Sequence, residues 1–187
     1  EGNLKINGTG SSDHHNGMGT IAVNKGKWWY EAKFSISANI GKNKVGTMSV
    51  DRGNPQGGEI GDQTGSFLFI NEDGGDIKKD GSQVDTNYGT FSHNEILGVA
   101  LNMDDGQVSL YKSGSAIASN VAIGASSVDY VTPAWTGYQS AGVEFNFGSP
   151  PYSESGGNSD GNGYGNFSMS VPSGFFSLNS KNLAEYG

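Results

Sequence analysis

The chain has no cysteine. That excludes a disulfide framework and any thiolate metal site. It leaves the compartment open, because a sandwich of this size needs no covalent staple. No apolar run approaches the ~20 residues a helix needs to cross a bilayer. No secretory leader is visible, and membrane insertion is not expected. Arginine occurs once, at Arg52, and the chain carries 11 basic against 19 acidic side chains. The resulting net charge of −8 repels phosphate backbones, so nucleic acid is not an expected partner. No stretch has a helical hydrophobic period of useful length. The first residue is Glu rather than Met, which fits a processed chain or a piece of a longer one.

Glycine and aromatics are what the chain does have. Glycine accounts for 31 of 187 residues without a three-residue period, which excludes collagen. Aromatics make up 11 %, too many for a disordered chain. Glycine with abundant Asn, Ser and Asp predicts short strands and many turns.

Alternation locates the strands. In "GKWWYEAKFSI", Trp28, Tyr30, Ala32, Phe34 and Ile36 share one face, and Lys27, Trp29, Glu31, Lys33 and Ser35 share the other. The first face reads as core. On the second, Glu31 and Lys33 read as an ion pair. Further strands are expected over 44–50, 66–70, 95–103, 107–112 and 143–147, with 66–70 central because both its faces are apolar. The Asp-Gly connection in "MDDGQ" predicts a hairpin. "EDGGD" and "KDGS" predict further turns. The core is expected to contain Trp28, Tyr30, Phe34, Val99, Leu101, Phe145 and Phe147. Many short antiparallel strands with glycine-rich turns argue for an all-β sandwich.

The order of these motifs resembles that of SPRY domains. "GKWWYEAKF" is similar to their tryptophan-containing opening strand. "HNEILGVALNMDDGQVSLYKSGS" resembles their hairpin, and "VEFNFG" their closing strand. The match spans about 19–148. It implies an antiparallel, concanavalin-like jelly roll. Residues 1–18 would then be a segment packing on the sandwich. Residues 149–166 read as a Gly/Ser/Asn-rich surface loop, and 167–187 as a closing strand and exit linker. Gly156 to Gly187 further resembles the segment that follows SPRY modules in virion structural proteins of tailed bacteriophages. That resemblance implies a tail-fibre, appendage or capsid-decoration module in an extracellular particle. Its partner would be a host-surface glycan or another virion protein, and a homo-oligomer stays open. A glycan-cleaving tail enzyme and a cellular SPRY adaptor are the alternatives.

Catalytic signals are weak. His14 and His15 lie in a polar stretch beside Ser and Asp, without a nucleophile elbow, and read as loop. His93 reads as a turn residue. No single strand carries the paired carboxylates of a sandwich glycosidase. No enzyme activity is expected. "NSDGNG" echoes the first half of a calcium loop. It begins with Asn158 rather than Asp, and Met169 stands where the bidentate Glu belongs, so a plain turn is the simpler reading. A metal there would be calcium, on Asn158, Asp160 and Asn162; no other cofactor is expected.

Recognition is expected in the loops. Candidates are 51–64 with Asp51 and Arg52, 71–80 with Asn71 and Asp73, and 132–140 with Trp135 and Tyr138. Aromatics among small polar residues suit sugar stacking or protein contact. The competing reading has Trp135 anchoring its own loop. Trp29, alone on a polar face, is expected to be covered by the N-terminal stretch or by "GFFSLN".

Overall fold

A computed structural model describes residues 4–10, 12–51, 58–123 and 129–187. Alternating apolar residues build two antiparallel sheets packed face to face. The first sheet runs in the order β1 (Lys5–Asn7), β12 (Gly142–Asn146), β3 (Lys27–Lys33), β8 (Ile96–Asn102), β9 (Gln107–Lys112), β10 (Ser115–Ala122). The second runs β2 (His14–Met18), β11 (Val131–Tyr138), β4 (Asn43–Ser49), β5 (Ser66–Ile70), β6 (Asp76–Lys79), β7 (Ser82–Asp85). The expected all-β sandwich is what forms, and β5 is interior to its sheet as its two apolar faces require.

Between the sheets lies one core. Trp28, Tyr30, Phe34, Val99, Leu101, Val143 and Phe145 face Val45, Phe67, Phe69, Val131 and Trp135. Phe147 packs against it only partly buried. Trp28 Nε1 donates to the carbonyl of Lys25 at 2.7 Å. The Tyr30 hydroxyl crosses to the Gly46 carbonyl at 2.7 Å. Burying each large side chain contributes roughly 1.5–3 kcal/mol. Gly46 is required where it stands, because a Cβ there would lie 2.0 Å from the Phe67 carbonyl oxygen.

The N-terminal segment is not laid over a face. It supplies an edge strand to each sheet, β1 on β12 and β2 on β11. The "DHHNG" stretch is therefore partly strand and not loop. His14 Nδ1 sits 2.9 Å from Glu59, and His15 Nε2 accepts from the Gly10 amide at 3.2 Å. The "KSGS" turn leads into β10, a strand whose weak alternation hid it.

Both outer faces are covered. On the second sheet, a short turn of helix at Ile60–Asp62 folds back and buries Ile60 against Met48, Leu68 and Ala134. On the first sheet, the chain after β12 does the covering. Phe167 and Met169 bury Trp29 with Ala100, and Phe175 and Val171 pack beside them. Trp29 is wholly buried, edge-on to Tyr111 and Phe167. Its cover is "NFSMSV" chiefly, with one residue of "GFFSLN". β13 (Phe176–Ser177) then pairs in parallel with Trp28 and Trp29, along the stretch of β3 that β12 leaves unpaired. The chain ends in α1 (Ser180–Tyr186) and not in an extended linker. Asn179 caps this helix by accepting from the Asn182 amide at 3.0 Å. Seven residues are too few for a hydrophobic period to show.

Candidate interaction surface

Two buried carboxylates fix the covering segment. Glu31 does not pair with Lys33. Its oxygens accept from the backbone amides of Met169 at 2.9 Å and Ser168 at 3.1 Å, and from Asn146 Nδ2 at 3.1 Å. Lys33 instead lies over the Tyr152 ring at 4.5 Å. Burial raises the pKa of Glu31 above the usual carboxylate value, and these three hydrogen bonds only partly offset it. Asp160 is the second. One oxygen accepts from the amides of Asn162 and Tyr164, each at 3.0 Å. The other accepts from Ser177 N at 2.8 Å, Ser177 Oγ at 2.7 Å and Asn182 Nδ2 at 2.7 Å. Burial works against ionisation of Asp160, but hydrogen bonds from Ser177, Tyr164 and Asn182 outweigh it and hold the pKa low.

The neighbouring "NSDGNG" side chains also have structural partners. Asn158 Nδ2 donates to the carbonyls of Phe167 and Ser168, and Asn162 Nδ2 donates to Asn182. Asp160 and Asn162 share Asn182 as a partner, and Asn158 serves the backbone of Phe167 and Ser168. Among the described residues, no group of three or more His, Asp or Glu side chains is placed to hold a metal.

The expected recognition residues scatter. Trp135 is a correction: 132–140 is mostly strand β11, and the indole is fully buried with Nε1 donating to Asn43 Oδ1 at 2.8 Å. Asn71 is another. It is 2 % exposed, and its amide bonds the backbone of Ile40 and Phe91. Neither side chain is accessible to a ligand. Asp73 is an exposed turn residue with φ 52°. Tyr138 is half-buried with its ring 4.9 Å from that of His14. Both lie at the end of the sandwich where β3 finishes. Asp51 lies at the opposite end, and Arg52 falls outside the described residues.

That opposite end, where β3, β5, β9 and β11 begin, gathers the exposed apolar groups. We call it the near end. Four large hydrophobic side chains are exposed among the described residues: Val50, Val84, Tyr130 and Tyr186. Val50 and Tyr130 lie together here, and Tyr186 stands on α1, whose Leu183 lines the same depression as Tyr130. Val50 N donates to the Tyr130 carbonyl at 2.8 Å, and Tyr130 N donates to Asp51 Oδ2 at 2.9 Å. Tyr130, Leu183 and Gly187 line one depression of about 440 Å³ with Ala22 to Lys25. Tyr186, beside Gly187, stacks on Phe176 with ring centroids 4.3 Å apart. A second depression, about 480 Å³, opens on the other side of residues 19–25. Leu4, Ile6, Met18, Ile21, Pro133 and Phe147 make it mostly apolar.

Sequence reasoning passed over Tyr130. The signal was present: alternation through "DYVTPAW" puts Val131, Pro133 and Trp135 on one face and Tyr130 on the other. Leu183 carried no signal, because its position depends on α1 folding back against residues 22–25.

No protein-family model matches the sequence, and no curated protein matches it. Solved structures do. The SPRY domain of human HERC1 superposes with a TM-score of 0.59 at 17 % identity, covering 78 % of this chain and 87 % of that one. The PSpry domain of TRIM65 superposes with a TM-score of 0.56 at 14 % identity, covering 71 % of each chain. The two-sheet sandwich described above is therefore a SPRY-like fold.

Proposed function

We propose that the chain is a non-enzymatic recognition module that binds a protein partner through its near end. The observation that carries this reading is the exposure of Val50 and Tyr130, joined through their backbones, with Tyr130 lining a depression beside Leu183 and Gly187. An exposed apolar cluster with a polar rim suits the core of a protein interface. Loops on a stiff scaffold are where recognition usually sits. The SPRY-like fold supports the same class of function, since such domains serve as interaction modules. Carboxylates here are occupied structurally: Asp51 holds the Tyr130 amide and Asp104 holds the Gly26 amide at 2.7 Å. That favours binding over glycan cleavage at this end. Burial of Trp135 leaves Tyr130 as the one aromatic of the β4–β5 and β10–β11 connections offered for stacking, which favours protein over sugar on this face.

The setting we propose is a phage particle, as a tail fibre, appendage or capsid-decoration module. The resemblance of Gly156 to Gly187 supports it. Tyr130→Glu combined with Val50→Lys tests the reading. Incorporation into the particle, or binding to the neighbouring virion protein, should be lost with the unfolding midpoint unchanged. Full retention would refute it.

A further inference from the structure

A third cavity lies far from the near end. It opens where the covering segment crosses the start of β8 and the turn between β9 and β10, and its volume is about 450 Å³. Its floor is apolar, made by Ile96 and the buried Met169. Its walls are polar, from Asn94, Ser113, Asn158 and Ser170. The charged groups at its rim neutralise each other. Glu95 and Lys112 are 2.8 Å apart, and Lys112 also donates to the Thr90 carbonyl at 2.7 Å.

Hydrogen-bonding capacity remains free on these walls. Neither Asn94 nor Ser113 makes a side-chain hydrogen bond among the described residues. Asn158 Oδ1 receives only a long contact from Ser170 Oγ at 3.4 Å. Asn94 and Ser113 both stand at positive φ, 67° and 51°. Both residues are exposed and line the cavity, so their side-chain polar atoms are accessible to a ligand there.

We propose that this cavity binds a neutral saccharide residue. An amide and hydroxyls offer donors and acceptors together, as a polyhydroxylated ligand demands. The Ile96 and Met169 floor suits the C–H face of a sugar ring. The single ion pair at the rim leaves no net charge for an ionic ligand, and the acidic chain repels an anionic one. A cavity of this size is ordinary for a small ligand.

The test is titration of the intact chain with glucose, galactose, mannose, N-acetylglucosamine and glucuronate, followed by amide and methyl NMR shifts. At least one neutral sugar should give saturable shifts at Ile96, Asn94 and the Met169 methyl, with glucuronate much weaker. Asn94→Gly removes the amide while tolerating positive φ. Ser170→Ala removes an exposed hydroxyl. Each should weaken binding about fivefold to tenfold, while Tyr130→Glu should leave it unchanged. Absence of saturable shifts across the panel would overturn the proposal. So would shifts confined to another surface, equal binding of glucuronate, or indifference to both cavity variants.

Discussion

Replacing Asp160 by Asn exchanges one carboxylate oxygen for an NH2 group and changes little else in shape. The native carboxylate takes five donors, two on one oxygen and three on the other. An asparagine can keep only one of these sets. With its oxygen toward the turn, its NH2 faces the Ser177 amide and Asn182 Nδ2. Turned round, it faces the amides of Asn162 and Tyr164. The Ser177 hydroxyl can rotate to accept, but the amides cannot. In the first case the buried Ser177 amide loses its acceptor while Asn182 Nδ2 keeps the Ser177 carbonyl at 2.9 Å; in the second the part-buried amides of Asn162 and Tyr164 lose theirs, at about 1–3 kcal/mol for a buried donor and less for a part-buried one. We expect about 1–3 kcal/mol of lost stability by urea unfolding, with amide exchange accelerated first at Ser177 and Phe167. The pH dependence has a definite sign. The folded pKa of Asp160 lies below the ordinary aspartate value. Its contribution is thus present above that value and lost as pH falls through the folded pKa. Asp160→Asn should remove this acid limb. A variant within about 0.5 kcal/mol of the parent, the scatter of an ordinary surface substitution, would refute the role assigned to Asp160.

Further expectations concern the same face. Glu31→Gln must aim an NH2 at backbone amides and should cost about 1–3 kcal/mol in denaturant unfolding. Because burial raises the folded pKa of Glu31, its contribution is full below the unfolded value and lost as pH rises through the folded one; the variant should lack that slope. Gly98→Ala would place a Cβ 2.3 Å from the Trp29 ring and should destabilise by about 1–3 kcal/mol, whereas Gly161→Ala, whose nearest atom is 3.8 Å away, should be near neutral by thermal melting. Trp29 Nε1 has no hydrogen-bond partner among the described residues. Trp29→Phe should therefore cost only about 1 kcal/mol from lost volume, against about 3–5 for Trp29→Ala.

The sandwich was legible because alternation is a local signal. Trp28, Tyr30 and Phe34 declare their shared face within seven residues, and the Asp-Gly turn joins β8 to β9 without outside help. The covers were not legible to the same degree. Phe167 and Met169 reach Trp29 across more than a hundred residues of chain, and the stretch just before them reads as polar loop because its anchors are a buried Asp and backbone amides. Trp135 misled for the opposite reason. Its neighbours are small and polar, yet they face Asn16 and the turn at Ile60 on the outer side while the indole enters the core. Asn71 reads as a surface turn residue, and only its three bonds to Ile40 and Phe91 show that it replaces missing backbone partners. The near end is assembled from β4, β11, residues 22–25 and α1, so its apolar cluster exists only in three dimensions.

Site-specific photo-crosslinking tests the central claim most directly. A photoreactive residue is placed at position 130 in one sample and at position 84 in another, each assembled into the particle proposed above. Val84 is the one exposed large hydrophobic among the described residues that lies outside the near end. The account predicts a discrete protein adduct from position 130 and none from 84. Equal crosslinking from both positions, or an adduct from 84 alone, would contradict it.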